Sequence, residues 1–419
     1  MTLIKTSILS FIATSVKIIA GLVINKAVAV YIGPAGLALI GQFQNFMQLI
    51  MTAAQGAINA GITKYLAEYG NDSDRIPVLL SSASKISFFT SIVVGLTLVI
   101  FSDFASIHFL KNEEYAYIFV IFGFTVVLFV VNNILLSALN GLKEIKLFIS
   151  INIIQSIYSL VFTTILIFYL GLDGALIALV TNQSVVLGVV LFLLRKHPII
   201  KAANFKRGID KTEVKKLLSF SAMAIATAVT VPISHLIIRE HIGQTLGWDK
   251  AGNWQAIWQI STAYLMVVTT TLSIYYLPRL SELKGKSELR AELLKGYKFI
   301  LPIVLFMSVI VYMLKDYIVW LLYTDEFGSV QELFMWQLVG GVIKIAAWLL
   351  SYLMIAKAMT KLFIVLEVFF AAFFVITAVL LIDNYGLIGT SYAFALNYAF
   401  YLAALVFVLK NYLWQGDAK

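Results

Sequence analysis

Apolar runs of about twenty residues alternate with short polar connections along the whole chain of 419 residues. A helix needs roughly 20 apolar residues to cross a bilayer. The pattern predicts about twelve spans, near 7–32, 36–60, 82–102, 116–139, 147–170, 174–194, 218–240, 252–277, 298–322, 331–355, 362–382 and 387–409. Runs of this length exclude the short alternating strands of a β-barrel. The expected fold class is all-α, a polytopic membrane protein.

Polar residues interrupt these runs in patterns. In the second span, Gln44, Gln48, Thr52, Gln55 and Asn59 are spaced to share one helical face. Amides are costly in lipid unless they meet partners or water. The stripe serves either as hydrogen-bonding glue between helices or as the wall of a wet cavity. Its extent along the whole span favours the cavity. Gln255, Gln259 and Thr262 form a shorter echo in span 8.

Charges inside spans are more informative. Lys17 and Lys344 each lie near the middle of an apolar run. A charge at a bilayer centre costs roughly 2.5–3.5 kcal/mol on insertion scales, so it faces a cavity or a partner. Lys17 stands between Thr14 and Gly21. Lys344 stands between Gln337 and Ser351, and Gly340 and Gly341 thin the helix before it. An ion pair or snorkelling is the plainer reading, but Lys344 is too central to snorkel and the sequence offers no acid at its depth. Lys26 and Arg239 are nearer the outer surface, where snorkelling competes with phosphate handling. Arg239 shares a face with His235 and follows Pro232, which is expected to kink the helix. Glu367 is the clearest acid inside a span. It is the candidate for ion coupling, or else a partner for Lys357 or Lys361.

The chain also repeats itself. Gly171–Asn182 reappears as Gly386–Asn397, and Lys146-Leu-Phe-Ile149 as Lys361-Leu-Phe-Ile364, both 215 residues on. Six spans per repeat give both halves one orientation, related by a pseudo-twofold axis along the membrane normal. The expected organisation is a six-helix lobe at 1–197, a basic linker at 198–216 and a second six-helix lobe at 217–419. Substrate sites of such carriers lie near the midplane at the repeat interface. Neither Lys17 nor Lys344 has a basic mate at the repeat offset, as expected if they serve a ligand and not the fold.

Composition narrows the chemistry. The chain is 61% hydrophobic and 13% charged, against about 25% charged in soluble domains. It has no cysteine, and its four histidines lack metal-ligand spacing, so no metal site is expected. Gly-rich phosphate loops are missing, and no cofactor is expected. The net charge of +9 does not indicate nucleic acid, because Lys and Arg gather in alternate connections, chiefly 195–217 and 278–297. The positive-inside rule places these and both termini in the cytoplasm. Ala27-Val28-Ala29 resembles a signal-peptidase box, but Lys17 and Lys26 break the apolar stretch before it, so cleavage is not expected.

A cationic cavity calls for an anionic substrate. Phosphate or diphosphate suits paired lysines, while Trp254, Trp258 and Trp348 suit sugar faces. The candidate diphosphate ligands are Lys17, Lys344, Arg239 and Lys26. The candidate cavity lining is Gln44, Gln48, Thr52, Gln55, Asn59, Gln259 and Gln337. A multidrug exporter would favour cavity acids, which are scarce. A membrane-bound glycosyltransferase or polymerase would need a large outward loop with catalytic acids, whereas the outward loops here are short, with Glu113-Glu114 an acidic pair in one.

Several stretches carry a family resemblance: Gly33-Pro-Ala-Gly-Leu37, Gly61-Ile-Thr-Lys-Tyr-Leu-Ala-Glu-Tyr69, Tyr276-Leu-Pro-Arg-Leu280, Trp336 through Trp348, and Ile355-Ala-Lys-Ala358. They resemble the Wzx flippases of the multidrug/oligosaccharidyl-lipid/polysaccharide exporter superfamily, in the O-antigen and enterobacterial common antigen (lipid III) branch. The resemblance covers nearly the whole chain and is most specific around Lys344. It implies a secondary transporter and not an enzyme. Such a carrier moves an undecaprenyl-diphosphate-linked oligosaccharide from the cytoplasmic to the periplasmic leaflet of a Gram-negative inner membrane. It also implies alternating access driven by a proton or sodium gradient, with membrane lipids, a polysaccharide polymerase and chain-length machinery as partners. Lys17, Lys26, Arg239 and Lys344 match basic positions of that branch. Thr262 stands where some members carry an acid.

Overall fold

A computed structural model describes residues 3–70, 74–201, 204–283 and 285–414. The first half contains α1 (Leu3–Tyr31), α2 (Gly33–Ala54), α3 (Asn59–Tyr69), α4 (Arg75–Ile100), the short α5 (Ser102–Ala105), α6 (Ala116–Gly141) and α7 (Ile145–Leu194). The second half contains α8 (Lys211–Thr245), α9 (Trp248–Thr271), α10 (Leu277–Glu282), α11 (Lys286–Met313), α12 (Lys315–Leu322), α13 (Val330–Ala356), α14 (Thr360–Tyr385) and α15 (Gly389–Trp414). No strand occurs among the described residues.

Seven helical stretches among them are long and apolar enough to cross a membrane. Two of these, Ile145–Leu194 and Thr360–Lys410, each hold two of the spans read from the sequence. Helices α2, α8 and α9 are comparably long but carry more polar side chains. The set is compatible with twelve crossings. The backbone of α8 stays helical through Pro232.

The repeat is written in the backbone. Gly171 breaks α7 at φ 57°, and Gly386 separates α14 from α15 at φ 65°. Lys143 (φ 61°) and Ala358 (φ 52°), also 215 residues apart, adopt left-handed conformations in the turns before α7 and α14. A side chain would be excluded just past each glycine break. A Cβ on Gly174 would lie 2.0 Å from the Leu166 carbonyl oxygen, and one on Gly389 would lie 2.2 Å from that of Leu381. Each pair of helices is closed by a carbonyl pressed onto a glycine.

The second span is not one helix. The apolar run predicts helix through residue 60, but α2 ends at Ala54 and α3 begins at Asn59. Gly56 (φ 61°) and Ala57 (φ 53°) turn the chain between them. In the second half the matching region carries a π-helical turn, Leu272–Tyr276, between α9 and α10. Span 9 is divided in a similar way, into α11 and α12 at Leu314.

The chain forms two compact units. One comprises Met1–Ile32 and Leu39–Pro232, the other Gly33–Ala38 and Ile233–Lys419. The core of the first unit is aromatic, with Phe43 edge-on to Phe119 at 5.4 Å and Phe129 edge-on to Phe122 at 6.1 Å. In the second, α13 packs against α15, α11 and α9.

The basic connection before α8 is tied down. Asp210 caps α8 by accepting from the Thr212 and Glu213 amides at 2.8 and 3.0 Å. Those amides, Glu213's first, hold its carboxyl below the usual range. Tyr69 Oη donates to Glu213 Oε2 at 2.6 Å, and Lys216 Nζ donates to Glu213 Oε1 at 2.9 Å. Hydrogen bonds to Tyr69 and Glu213 raise the Lys216 ammonium above its ordinary value. A raised basic group stabilises fully below its unfolded value, so this contribution is intact at neutral pH and fades only in strong alkali. Replacing Glu213 with Gln is expected to destabilise the protein by about 1–3 kcal/mol, because Glu213 is buried. The lower end applies, since the Lys216 side chain is 37% exposed. Thermal unfolding in detergent reads the loss, and an unchanged midpoint would dismiss the cluster as a stabiliser.

Candidate functional site

The site is built on α13. Gly340 and Gly341 leave room on its surface, and two neighbours fill it. A Cβ on Gly340 would lie 2.4 Å from the Phe394 ring of α15, and one on Gly341 would lie 2.3 Å from Tyr264 Oη of α9. One turn further on, Lys344 enters a cage of aromatic rings. Its Nζ stands 4.7 Å from the centroid of Trp348, 5.4 Å from Tyr398, 5.8 Å from Trp258 and 5.9 Å from Phe394. Ring faces attract an ammonium by about 0.5–2 kcal/mol each, more as water is removed. They offer no formal negative charge, so the cation keeps its appetite for an anion.

A cavity of about 170 Å³ opens beside it. Trp258, Trp348 and Phe394 form its aromatic wall, and Ser261, Thr262 and Thr269 supply hydroxyls. An ammonium, flat rings and hydroxyls in one cavity can bind an anion joined to a sugar.

The expectation that no acid lies near Lys344 is corrected. Glu367 of α14 acts on Lys344 electrostatically. It is not joined to Lys357, whose Nζ donates to the Leu283 carbonyl. Tyr401 Oη instead lies 3.4 Å from Glu367 Oε1 and 3.3 Å from Ser351 Oγ. Tyr398, which contacts Lys344, stands 6.3 Å from Tyr401 ring to ring. Two tyrosines thus lie between the cation and the acid.

Arg239 also differs from its expected place. It is fully buried and does not snorkel. Its Nη2 donates to Gln255 Oε1, and its guanidinium lies 5.3 Å from the Trp254 ring. His235, one turn earlier, meets Trp254 edge-on at 5.5 Å and Trp258 at 4.2 Å. Both Arg239 and Lys344 act on His235 electrostatically. The two cations are therefore joined through His235 and two tryptophans, all in the second unit.

The remaining candidates are dispersed. Gln337 is buried on α13, and neither of its amide atoms has a hydrogen-bond partner among the described residues. Gln259 Oε1 accepts from Tyr323 Oη at 3.3 Å. In the first unit, Lys17 is exposed on α1 and Lys26 is half-buried. Gln44 and Gln48 are exposed on α2, and Thr52 Oγ1 donates to the Gln48 carbonyl at 2.8 Å. Gln55 and Asn59 fall beyond the end of α2 and bond to each other across the turn. The stripe is therefore two groups and not one continuous face.

Phe394, Tyr398 and Tyr401 are absent from the residues read out of the sequence. Their signal was present: spacings of four and three place them on one face of α15. In a chain with 14% aromatic residues, that face looks like ordinary core until Lys344 is set against it.

Comparison with known proteins bears on the fold and the family. The lipid III flippase of Escherichia coli (strain K12) is 31% identical over 423 aligned residues, covering 100% of both chains. The lipid III flippase of Shigella flexneri matches equally. Among solved structures, the inward-facing conformation of a multidrug resistance MATE family transporter of the MOP superfamily superposes with a TM-score of 0.78 at 14% identity, covering 95% of this chain and 94% of that one. The outward-facing conformation of such a transporter gives 0.68 at 16% identity, covering 96% and 94%. At those identities the likeness is one of fold. Residues 3–284 match the polysaccharide biosynthesis protein family. The chain is an all-helical, multi-pass membrane protein with the MATE/MOP transporter fold, and it belongs to the polysaccharide biosynthesis protein family.

Proposed function

We propose that the chain is a flippase. It carries an undecaprenyl-diphosphate-linked oligosaccharide, of the O-antigen or lipid III kind, from the cytoplasmic to the periplasmic leaflet of a Gram-negative inner membrane. The observation that carries this reading is Lys344, held in an aromatic cage beside a hydroxyl-lined cavity. The name and full-length similarity of the lipid III flippases support it. The diphosphate binds the Lys344 ammonium. The sugar nearest it stacks on Trp348 or Trp258 and bonds to Ser261, Thr262 and Thr269, while the polyprenyl tail stays in lipid. Arg239 adds positive potential behind His235, and Lys17 and Lys26 of the first unit offer further cations for a diphosphate headgroup. Both termini face the cytoplasm. The polymerase and chain-length machinery receive the flipped product.

An ion gradient drives the cycle. A diphosphate and the Glu367 carboxylate compete for the field of one ammonium. Substrate binding then favours protonation of Glu367, and protonation frees Lys344 for substrate. The two events are linked by one coupling energy. On this account Glu367→Gln still binds substrate but transports at a rate that no longer responds to an imposed pH gradient. A gradient response equal to that of the parent protein would move coupling to another group.

The reading is tested by deletion. Loss of the chain should leave a lipid-linked oligosaccharide on the cytoplasmic face and remove the matching surface glycan, and re-expression should reverse both. A deletion that leaves surface glycan unchanged, in cells with no second flippase for it, would refute the reading.

A further inference from the structure

The first unit holds a separate crevice of about 370 Å³, between α4, α6, α7 and the connection that follows α7. This lies within the usual range for ligand pockets, about 300–1,000 Å³. Phe88, Val131, Leu135 and Leu191 form apolar walls, and Ile200 and Phe205 of the connection close one end. Phe88 and Leu191 are exposed hydrophobics, so the crevice opens on a face that lipid covers.

Its polar end is cationic. Lys85 lines it, and the Lys85 ammonium donates to the Arg207 carbonyl, a neutral partner. Ser84 also lines it, with an Oγ that is buried and without a hydrogen-bond partner among the described residues. A buried orphan hydroxyl marks a group still to be supplied. Around this end the connection exposes Lys201, Lys206 and Arg207. The acids within reach are largely committed. Asp210 caps α8, Glu213 holds Tyr69 and Lys216, and Asp74 stands 3.7 Å from Arg207.

The connection is also fastened across the crevice. Ser81 Oγ shares its one proton between the Phe205 carbonyl, at 3.0 Å, and that of Arg207, and the Asp210 amide donates to Ser82 Oγ at 2.9 Å. A fastened roof suits a resident ligand more than one in transit.

We propose that this crevice is a site for an anionic phospholipid, with one acyl chain between α4 and α6 and the phosphate at Lys85 under the basic connection. An apolar slot ending in cations is the chemistry that recognises an acidic headgroup between helices on the basic side of a membrane protein. The hydroxyl of Ser84 is placed to donate to an ester carbonyl. The proposed occupant is a resident lipid and not the transported one, since the crevice shares no residue with the Lys344 cavity and its roof is fastened down.

The test uses the full chain in vesicles. All seven tryptophans lie at or after Trp248, so Phe205→Trp places one reporter at the roof of the crevice. Brominated phosphatidylglycerol should quench the added emission several-fold more than brominated phosphatidylcholine at the same mole fraction, and Lys85→Gln should abolish that preference. Leu191→Trp, on the lipid-facing wall, serves if Phe205→Trp does not accumulate. Equal quenching by the two lipids would overturn the proposal, as would a preference that survives Lys85→Gln. Displacement of the bromolipid by undecaprenyl phosphate but not by unlabelled phosphatidylglycerol would assign the crevice to the transported lipid instead.

Discussion

Lys344→Ala is expected to abolish surface-glycan display while the protein accumulates normally in the membrane. Among the described residues the ammonium makes no salt bridge at its tip and is surrounded by rings, so its removal breaks no direct ion pair there. Taking a charge out of an apolar span also relieves an insertion cost of about 2.5–3.5 kcal/mol. Stability should hold or rise while transport disappears. Lys344→Arg separates charge from shape. It keeps the cation, but its planar fork does not fit a space shaped around a point charge, so partial transport is expected. Surface glycan measured alongside the amount of folded protein checks both variants. Full transport by Lys344→Ala would remove this residue from the mechanism.

The second large effect lies at the helix pairs. Gly174→Val and Gly389→Val are each expected to prevent accumulation of folded protein. A Cβ at either place would stand about 2 Å from a backbone carbonyl oxygen of the preceding helix, Leu166 or Leu381. Backbone cannot give way as a flexible side chain can, so the cost reaches or exceeds the upper part of the usual overpacking range of about 1–3 kcal/mol. The repeat makes the prediction double, since both substitutions must fail and for the same reason. Yield of monodisperse protein in mild detergent reads the outcome. Normal yield of either variant would show that the helix pair can open without loss of fold.

Much of the fold was legible because bilayer physics writes it in one dimension. The limits of α6 and of α13 fall within a few residues of the apolar runs that predict them, since a polar residue at either end leaves the hydrocarbon. Gly171 and Gly386 mark the turns of their helix pairs because those turns need a positive φ. The break in span 2 was less legible. Gly56 hints at it, but Ala57 also takes a left-handed conformation that nothing in its side chain favours, and hydropathy passes through the turn unchanged.

The site was legible in part for a related reason. A lysine in an apolar run is visible by its cost, so Lys344 stands out without any structure. Its surroundings do not stand out, because Trp258, Phe394, Tyr398 and Glu367 come from three other helices. Depth in the membrane, read from the sequence, offers no acid beside Lys344 and puts Arg239 near the outer surface. Packing of α14 and α15 against α13 brings Glu367 into electrostatic reach of Lys344, and burial against Gln255 and Trp254 encloses Arg239. Such contacts depend on rotation about helix axes, which apolar composition leaves undetermined.

The central claim is that Lys344 carries a polyprenyl-diphosphate-linked glycan across the bilayer. Its most direct test is transport by purified protein in sealed vesicles, loaded with an undecaprenyl-diphosphate oligosaccharide bearing a reducible fluorophore on the glycan. External dithionite bleaches the fluorophore on the outer leaflet only. The account predicts that the parent protein exposes the inner-leaflet fraction to bleaching and that Lys344→Ala vesicles retain it, as protein-free vesicles do. Bleaching of the inner fraction by Lys344→Ala at the parent rate would contradict it.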